Sequence, residues 1–160
     1  MEYHNIPPLF DKESRVLILG SFPSVKSREG QFFYHHPQNR YWKVMAAVTH
    51  SPLPDTIEEK KHMILSNHIA MWDVIASCDI SGSSDSSIKN VIPNDIGKLL
   101  QETKIEKIYT NGKTAHKYYQ KYIKNSIGRE DIVLPSTSPA NAAWPLDKLI
   151  EAWTETLGVR

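Results

Sequence analysis

Cysteine is nearly absent: Cys78 is the single thiol in 160 residues. One thiol makes no internal disulfide and cannot alone hold an iron–sulfur cluster or a structural zinc. No activating base stands near it in the sequence, so Cys78 reads as a small buried or half-buried thiol. Long hydrophobic runs are missing too. The longest, Val16-Leu17-Ile18-Leu19 and Val44-Met45-Ala46-Ala47-Val48, fall far short of the roughly 18 residues that span a bilayer, which argues against a membrane protein. Charge of one sign is also lacking. The 19 Lys and Arg face 18 Asp and Glu, a formal net charge of +1. No global field favours nucleic acid or an anionic membrane, and any such partner must be recognised locally. The opening Met1-Glu2-Tyr3-His4-Asn5-Ile6-Pro7-Pro8 has neither the basic nor the apolar region of a secretory signal, so a cytoplasmic location is expected.

What is present is the composition of one ordinary soluble domain over residues 1–160, 40% hydrophobic and 23% charged, long enough to bury a core. Arg15-Val16-Leu17-Ile18-Leu19-Gly20 has the form of a buried parallel strand ending in a loop. Ile69-Ala70-Met71-Trp72, Ile105 to Thr110 and Asp131 to Pro135 repeat that form. Helical spacing with caps occupies Asn39 to about His50, Asp55 to Asn67, Asn94 to Thr103, Thr114 to Lys124 and Leu146 to Leu157. Alternation of this kind predicts an α/β fold, a mostly parallel sheet covered on both faces. Ligands in such folds bind beyond the carboxyl ends of the strands. That places Gly20 to Ser24, Asp73 to Ala76, Asn111-Gly112 and Ser136 to Asn141 at one edge. Ser81 to Ser87 is polar enough for a mobile loop or one ordered by substrate.

Four segments at or near that edge have chemical potential. Gly20-Ser21-Phe22-Pro23-Ser24 lets backbone N–H groups face an anion or a carbonyl, but the phosphate-loop spacing with its lysine is missing; a tight strand exit fixed by Pro23 is an equal reading. Phe32-Phe33-Tyr34-His35-His36-Pro37-Gln38-Asn39-Arg40-Tyr41-Trp42 gathers aromatics that can stack on a nucleobase. Within it, Asn39 suits a helix cap or the orientation of a water, and Tyr41 and Trp42 suit the core. His35-His36 lacks a third ligand at metal spacing. Tyr109-Thr110-Asn111-Gly112-Lys113 is either a cap and turn or an amide offered to a base edge, and Lys113, Lys117, Lys121 and Lys124 follow on one helix face. That stripe reads as a solvated face or a phosphate track. Leu134-Pro135-Ser136-Thr137-Ser138-Pro139-Ala140-Asn141 makes a stiff, hydroxyl-rich loop able to donate to phosphate or enter a narrow groove.

In this order, the segments resemble the uracil-DNA glycosylase superfamily. Gly20 to Ser24 is similar to its first motif, Phe33 to Trp42 to the aromatic-x-x-Pro-x-Asn-Arg-aromatic-Trp stretch of its mismatch-specific branch, and Leu134 to Ser138 to its second motif. With Trp72-Asp73-Val74-Ile75-Ala76-Ser77-Cys78, the resemblance points to the hypoxanthine-DNA glycosylase family and spans about Arg15 to Trp144. It implies a three-layer αβα sandwich on a central four-stranded parallel sheet. It also implies a monofunctional hydrolase of base excision repair that flips out a deaminated base, hypoxanthine or uracil, and cuts its N-glycosidic bond. No metal or organic cofactor is implied. DNA carrying a deaminated base is the expected partner, a membrane is not, and a monomer is expected.

By the same resemblance, Gly20, Ser21, Phe22, Tyr34 and Asn111 surround the base. Tyr34 stacks on it, Asn111 reads its edge, and the N–H groups of Ser21 and Phe22 stabilise the departing anion. Ser136, Thr137, Ser138, Pro139, Ala140 and Asn141, with Lys113 and Lys117, are the expected DNA contacts. Many superfamily members hold the attacking water with an acid or carboxamide of the first motif, where this chain has Phe22. Phenylalanine cannot bind water; in the hypoxanthine-DNA glycosylase pattern the asparagine before the aromatic-Trp pair takes over, and the resemblance thus implies that Asn39 orients the water without acting as a strong base. The missing first-motif group also leaves open a catalytically silent lesion- or nucleotide-binding module. A hydrolase using Ser21 or Ser136 ranks low without a Gly-x-Ser-x-Gly elbow.

Overall fold

A computed structural model describes residues 1–158. Four strands, β2 (Val16–Gly20), β3 (Ile69–Asp73), β6 (Lys107–Asn111) and β7 (Ile132–Leu134), form one all-parallel sheet in the order β3-β2-β6-β7. Side chains along the strands alternate strictly between two cores. Ile18, Met71 and Tyr109 point to one side, and Leu17, Leu19, Ala70 and Ile108 to the other. This burial on both faces is what makes the strand sequences continuously apolar.

The first core is closed by α2 (Tyr41–Val48), α3 (Ile57–Ser66) and α7 (Leu146–Leu157), which contribute Tyr41, Met45, Ile64 and Trp153, all fully buried. The second is closed by α4 (Ile96–Gln101) and α5 (Lys113–Tyr122) through Ile96, Leu99, Tyr118 and Tyr119. Helices on both faces of a four-stranded parallel sheet make the expected αβα sandwich. Local chemistry fixes the boundaries. Thr56 and Glu59 form a reciprocal capping box at the start of α3, and α7 ends at Gly158, whose φ of +60° is left-handed.

The sandwich carries an addition that the spacing did not announce. A three-stranded antiparallel sheet, order β1-β4-β5, joins β1 (Glu2–Tyr3), β4 (Ile75–Asp79) and β5 (Lys89–Pro93). β1 is only two residues long, and β5 is mostly exposed and ends in proline, as an edge strand tolerates. Neither has the apolar run of a buried strand. The strand expected from Ile105 begins instead at Lys107, because the N–H groups of Lys104 and Glu106 bond to the carbonyls of Ser14 and Arg15. Short helices α1 (Val25–Gly30) and α6 (Lys124–Ile127) complete the set. Cys78 is a free, fully buried thiol, and burial pushes its pKa up. Among the described residues, no helix is long and apolar enough to cross a membrane.

Candidate active site

The four parallel strands all deliver their carboxyl ends to one edge, where Gly20, Asp73, Asn111 and Leu134 line a cleft of about 1090 Å3. Gly20 is required by crowding. A Cβ there would lie 2.4 Å from Asp73 Oδ1 and 3.0 Å from the Tyr34 hydroxyl. Gly112 is required by conformation as well as space, with φ +99° and Ser136 Cβ only 2.9 Å from where its own Cβ would stand. The strand exits therefore approach each other closely because two of them carry no side chain.

Three amide and hydroxyl groups meet on the cleft wall. Asn39 Oδ1 accepts from the Tyr41 N–H at 2.9 Å and from the Thr137 hydroxyl at 2.9 Å. Thr137 in turn accepts from Asn111 Nδ2 at 3.0 Å and donates its own N–H to Asn111 Oδ1 at 3.1 Å. The bond to Tyr41 fixes the orientation of the Asn39 amide, since only the oxygen can accept. The Asn39 oxygen accepts the N–H of Tyr41, the first residue of α2, although the N-cap position itself is Arg40, and its Nδ2, without a partner among the described residues, is left on a residue that lines the cleft.

Tyr34 stands beside this cluster with a left-handed φ of +49° and its ring stacked on Tyr41, centroids 4.1 Å apart and planes 16° apart. Burial, and after it the Asp73 carboxylate, pushes the Tyr34 phenol far above its ordinary range, so it stays protonated. Phe22 is held in place between the His4 ring edge and the Arg28 guanidinium, 5.4 Å over its face. Gly20, Ser21, Phe22, Tyr34, Asn39, Asn111 and Lys113 all line the cleft, as does the run from Ser136 to Asn141. Lys117 does not. It is exposed further along α5, its ammonium 5.3 Å over the Tyr118 ring.

The Ser136 to Asn141 loop is built by its own hydroxyls and by an arginine. Ser136 Oγ accepts the Ser138 N–H, and Ser138 Oγ the Ala140 N–H, both at 3.1 Å. Arg40 donates to the carbonyls of Thr137, Ser138, Asn141 and Trp144, the second and third at 2.8 and 3.1 Å. Pro139 and Ala140 are left exposed at the tip. Thr137, expected among the DNA contacts, is fully buried with its hydroxyl and N–H spent on Asn39 and Asn111. The serine-rich segment also lines the cleft, tied by the Val25 N–H to Ser83 Oγ and by Arg28 to the Gly82 carbonyl. Within it, burial raises the Asp85 carboxyl, opposed by a bond from Thr114.

Two features are invisible in the sequence. Arg40 sits in the aromatic-rich segment, but its partners lie about a hundred residues away. Asp73 stands at the expected edge without a role that its neighbours in sequence reveal, and its partner His4 belongs to the N-terminal segment. No spacing rule links such pairs. Among the described residues, no group of three or more His, Cys, Asp or Glu is placed to hold a metal.

A family model described as the uracil DNA glycosylase superfamily matches residues 7–157. A hypoxanthine DNA glycosylase of Methanosarcina acetivorans is 36% identical over 137 residues, covering 84% of this chain and 85% of that protein. One of Methanosarcina barkeri is 28% identical over 143 residues, covering 88% and 89%. The solution NMR structure of a candidate uracil DNA glycosylase from Methanosarcina acetivorans superposes with a TM-score of 0.80 at 29% identity, covering 97% of this chain and 98% of that one.

Proposed function

The chain belongs to the uracil DNA glycosylase superfamily, and from that premise we propose how its cleft removes a deaminated base. It is a DNA glycosylase acting on deaminated bases. The observation that supports the mechanism is the Asn39 amide, locked by Tyr41 and Thr137 through its oxygen and unpartnered at Nδ2 beside the strand exits. The lesion nucleotide leaves the duplex at a cost of a few kcal/mol, least for a mispaired base. Tyr34, backed by Tyr41, stacks on the flipped base, and Asn111 reads its edge with the donor and acceptor capacity that Thr137 leaves free.

Cleavage passes through an oxocarbenium-like sugar with negative charge growing on the departing base. Backbone N–H groups of Ser21 and Phe22, beside Gly20, receive that charge. Asn39 Nδ2 donates to the oxygen of the attacking water and leaves its second lone pair for the anomeric carbon. An N–H donor orients water without removing its proton, which suffices when the sugar is already cationic; as the C–O bond forms, the released proton passes to the anionic departing base. The route uses no metal or organic cofactor. Ser136, Ser138, Pro139, Ala140 and Asn141 engage the DNA around the gap, with Lys113 at the rim and Lys117 beyond it. Thr137 serves instead as the strut between the two amides. One domain, residues 1–160, acts as a monomer in the cytoplasm, with hypoxanthine the preferred base.

Purified protein incubated with duplexes containing hypoxanthine or uracil, followed by alkali, should yield strand breaks at the lesion, faster at hypoxanthine. Phe22 in place of a water-holding first-motif residue favours a second reading, a silent lesion-binding module. Binding without breaks would establish that reading and refute ours.

A further inference from the structure

His4 and Asp73 form a buried pair at the cleft wall that the mechanism above does not use. Their side chains are 3% and 6% exposed, and His4 Nε2 lies 2.7 Å from Asp73 Oδ2. His4 Nδ1 accepts the Ile6 N–H at 3.2 Å, so the ring proton sits on Nε2 and is donated to Asp73. The rings of Phe22, Phe33 and Trp72 surround the imidazole at centroid distances of 6.2 to 6.4 Å. The other oxygen is different. Asp73 lines the cleft, its Oδ1 lies against Gly20, and no group among the described residues bonds to that oxygen. A carboxylate nine-tenths buried, with one oxygen pinned and the other unpartnered at the wall of the cleft, is an acceptor awaiting a donor.

We infer that Asp73 is a specificity-determining residue that accepts the ring N–H of the flipped base, and that His4 is the positioning residue that holds it there. The inference deepens the glycosylase reading and rests on it. Deamination converts the adenine and cytosine edges from amino group plus ring lone pair into carbonyl plus ring N–H. Hypoxanthine and uracil therefore offer a donor where the parent bases offer a lone pair. A carboxylate oxygen bonds to the first and repels the second. Guanine and thymine also have a ring N–H, so Asp73 does not exclude them, and their stable pairing in the duplex must. Hydrogen bonds to a charged group correspond to about ten- to a hundredfold in affinity.

Affinities for hypoxanthine and adenine as their 9-methyl derivatives, in which the imidazole ring carries no N–H, measured by NMR titration, test this on the whole protein. The wild type should bind hypoxanthine at least tenfold more tightly. In Asp73→Asn, the His4 Nε2–H forces the amide oxygen into the place of Oδ2 and turns the NH2 to the cleft, so the preference should collapse or invert. His4→Ala should lose part of the preference and His4→Gln, which keeps a donor at the same reach, should restore it. An unchanged ratio in a folded Asp73→Asn overturns the inference. If that variant fails to fold, the wild-type ratio and the two His4 variants decide, and equal wild-type affinities overturn it alone. Excision of hypoxanthine from duplex DNA by the wild type is scored separately. Excision without the ratio sinks only the role of Asp73, whereas the ratio without excision sinks only the glycosylase reading.

Discussion

Thr137→Val removes one buried hydroxyl at nearly constant volume and so isolates the strut between the two cleft amides. Two bonds disappear: the donation to Asn39 Oδ1 at 2.9 Å and the acceptance from Asn111 Nδ2 at 3.0 Å. The Thr137 N–H to Asn111 Oδ1 bond survives, because it belongs to the backbone. Each of the two bonds contributes about 1 kcal/mol net, and an amide proton left without a partner adds about 1–3 kcal/mol when water cannot reach it. Asn111 is only half-buried, so water restores part of this, and the expected destabilisation is about 1–3 kcal/mol. At about 2–4 °C per kcal/mol for a chain this size, the melting temperature should fall by about 2–12 °C. Excision should suffer more than stability. With only Tyr41 N–H left to orient Asn39, a displacement near 1 Å costs about a hundredfold. Thermal melts and single-turnover excision of hypoxanthine read the two effects, and Thr137→Ser, which keeps the hydroxyl, should recover most of the rate. Excision at the wild-type rate by Thr137→Val would refute the strut.

Arg40→Gln should loosen the Ser136 to Asn141 loop by removing a guanidinium shared among four carbonyls, lowering DNA affinity and exposing the loop to proteolysis; an unchanged digestion pattern would count against the clamp. Lys113→Glu with Lys117→Glu should weaken duplex binding and flatten its salt dependence by about 0.9 in log–log slope for each phosphate no longer neutralised, measured by fluorescence anisotropy. Unchanged binding would make that helix face merely solvated. Burial pushes the Asp131 carboxyl up, but bonds from His116, Thr110 and Gln120 outweigh it and hold the group below the usual carboxylate range. A depressed folded pKa stabilises the protein above the ordinary carboxylate value, and that stability is lost as pH falls through the folded one. Urea denaturation from pH 7 to pH 3 should therefore show an acid-sensitive component that Asp131→Asn removes.

The parallel sheet was legible because strands buried on both faces must be apolar throughout, as Val16 to Leu19 and Ile69 to Met71 are. The second sheet was not, since Lys89–Pro93 is an exposed edge with no pattern to read. The edge that carries the cleft followed from topology alone. Its chemistry divided differently. Asn39 stood out as a candidate because a cap and a water-holding amide call for the same residue type, and the fold brings it to the cleft. His4 with Asp73, and Arg40 with the second-motif carbonyls, are pairings across 69 and about a hundred positions that only the folded chain creates. Thr137 looked like one more hydroxyl in a polar loop, and its complete burial depends on where Asn39 and Asn111 happen to converge.

Asn39→Ala, assayed by single-turnover release of hypoxanthine with lesion-DNA affinity measured on the same preparation, is the most direct test of the claim that a carboxamide positions the hydrolytic water. The account predicts excision reduced by at least a hundredfold with affinity retained. Excision near the wild-type rate at unchanged affinity would contradict it.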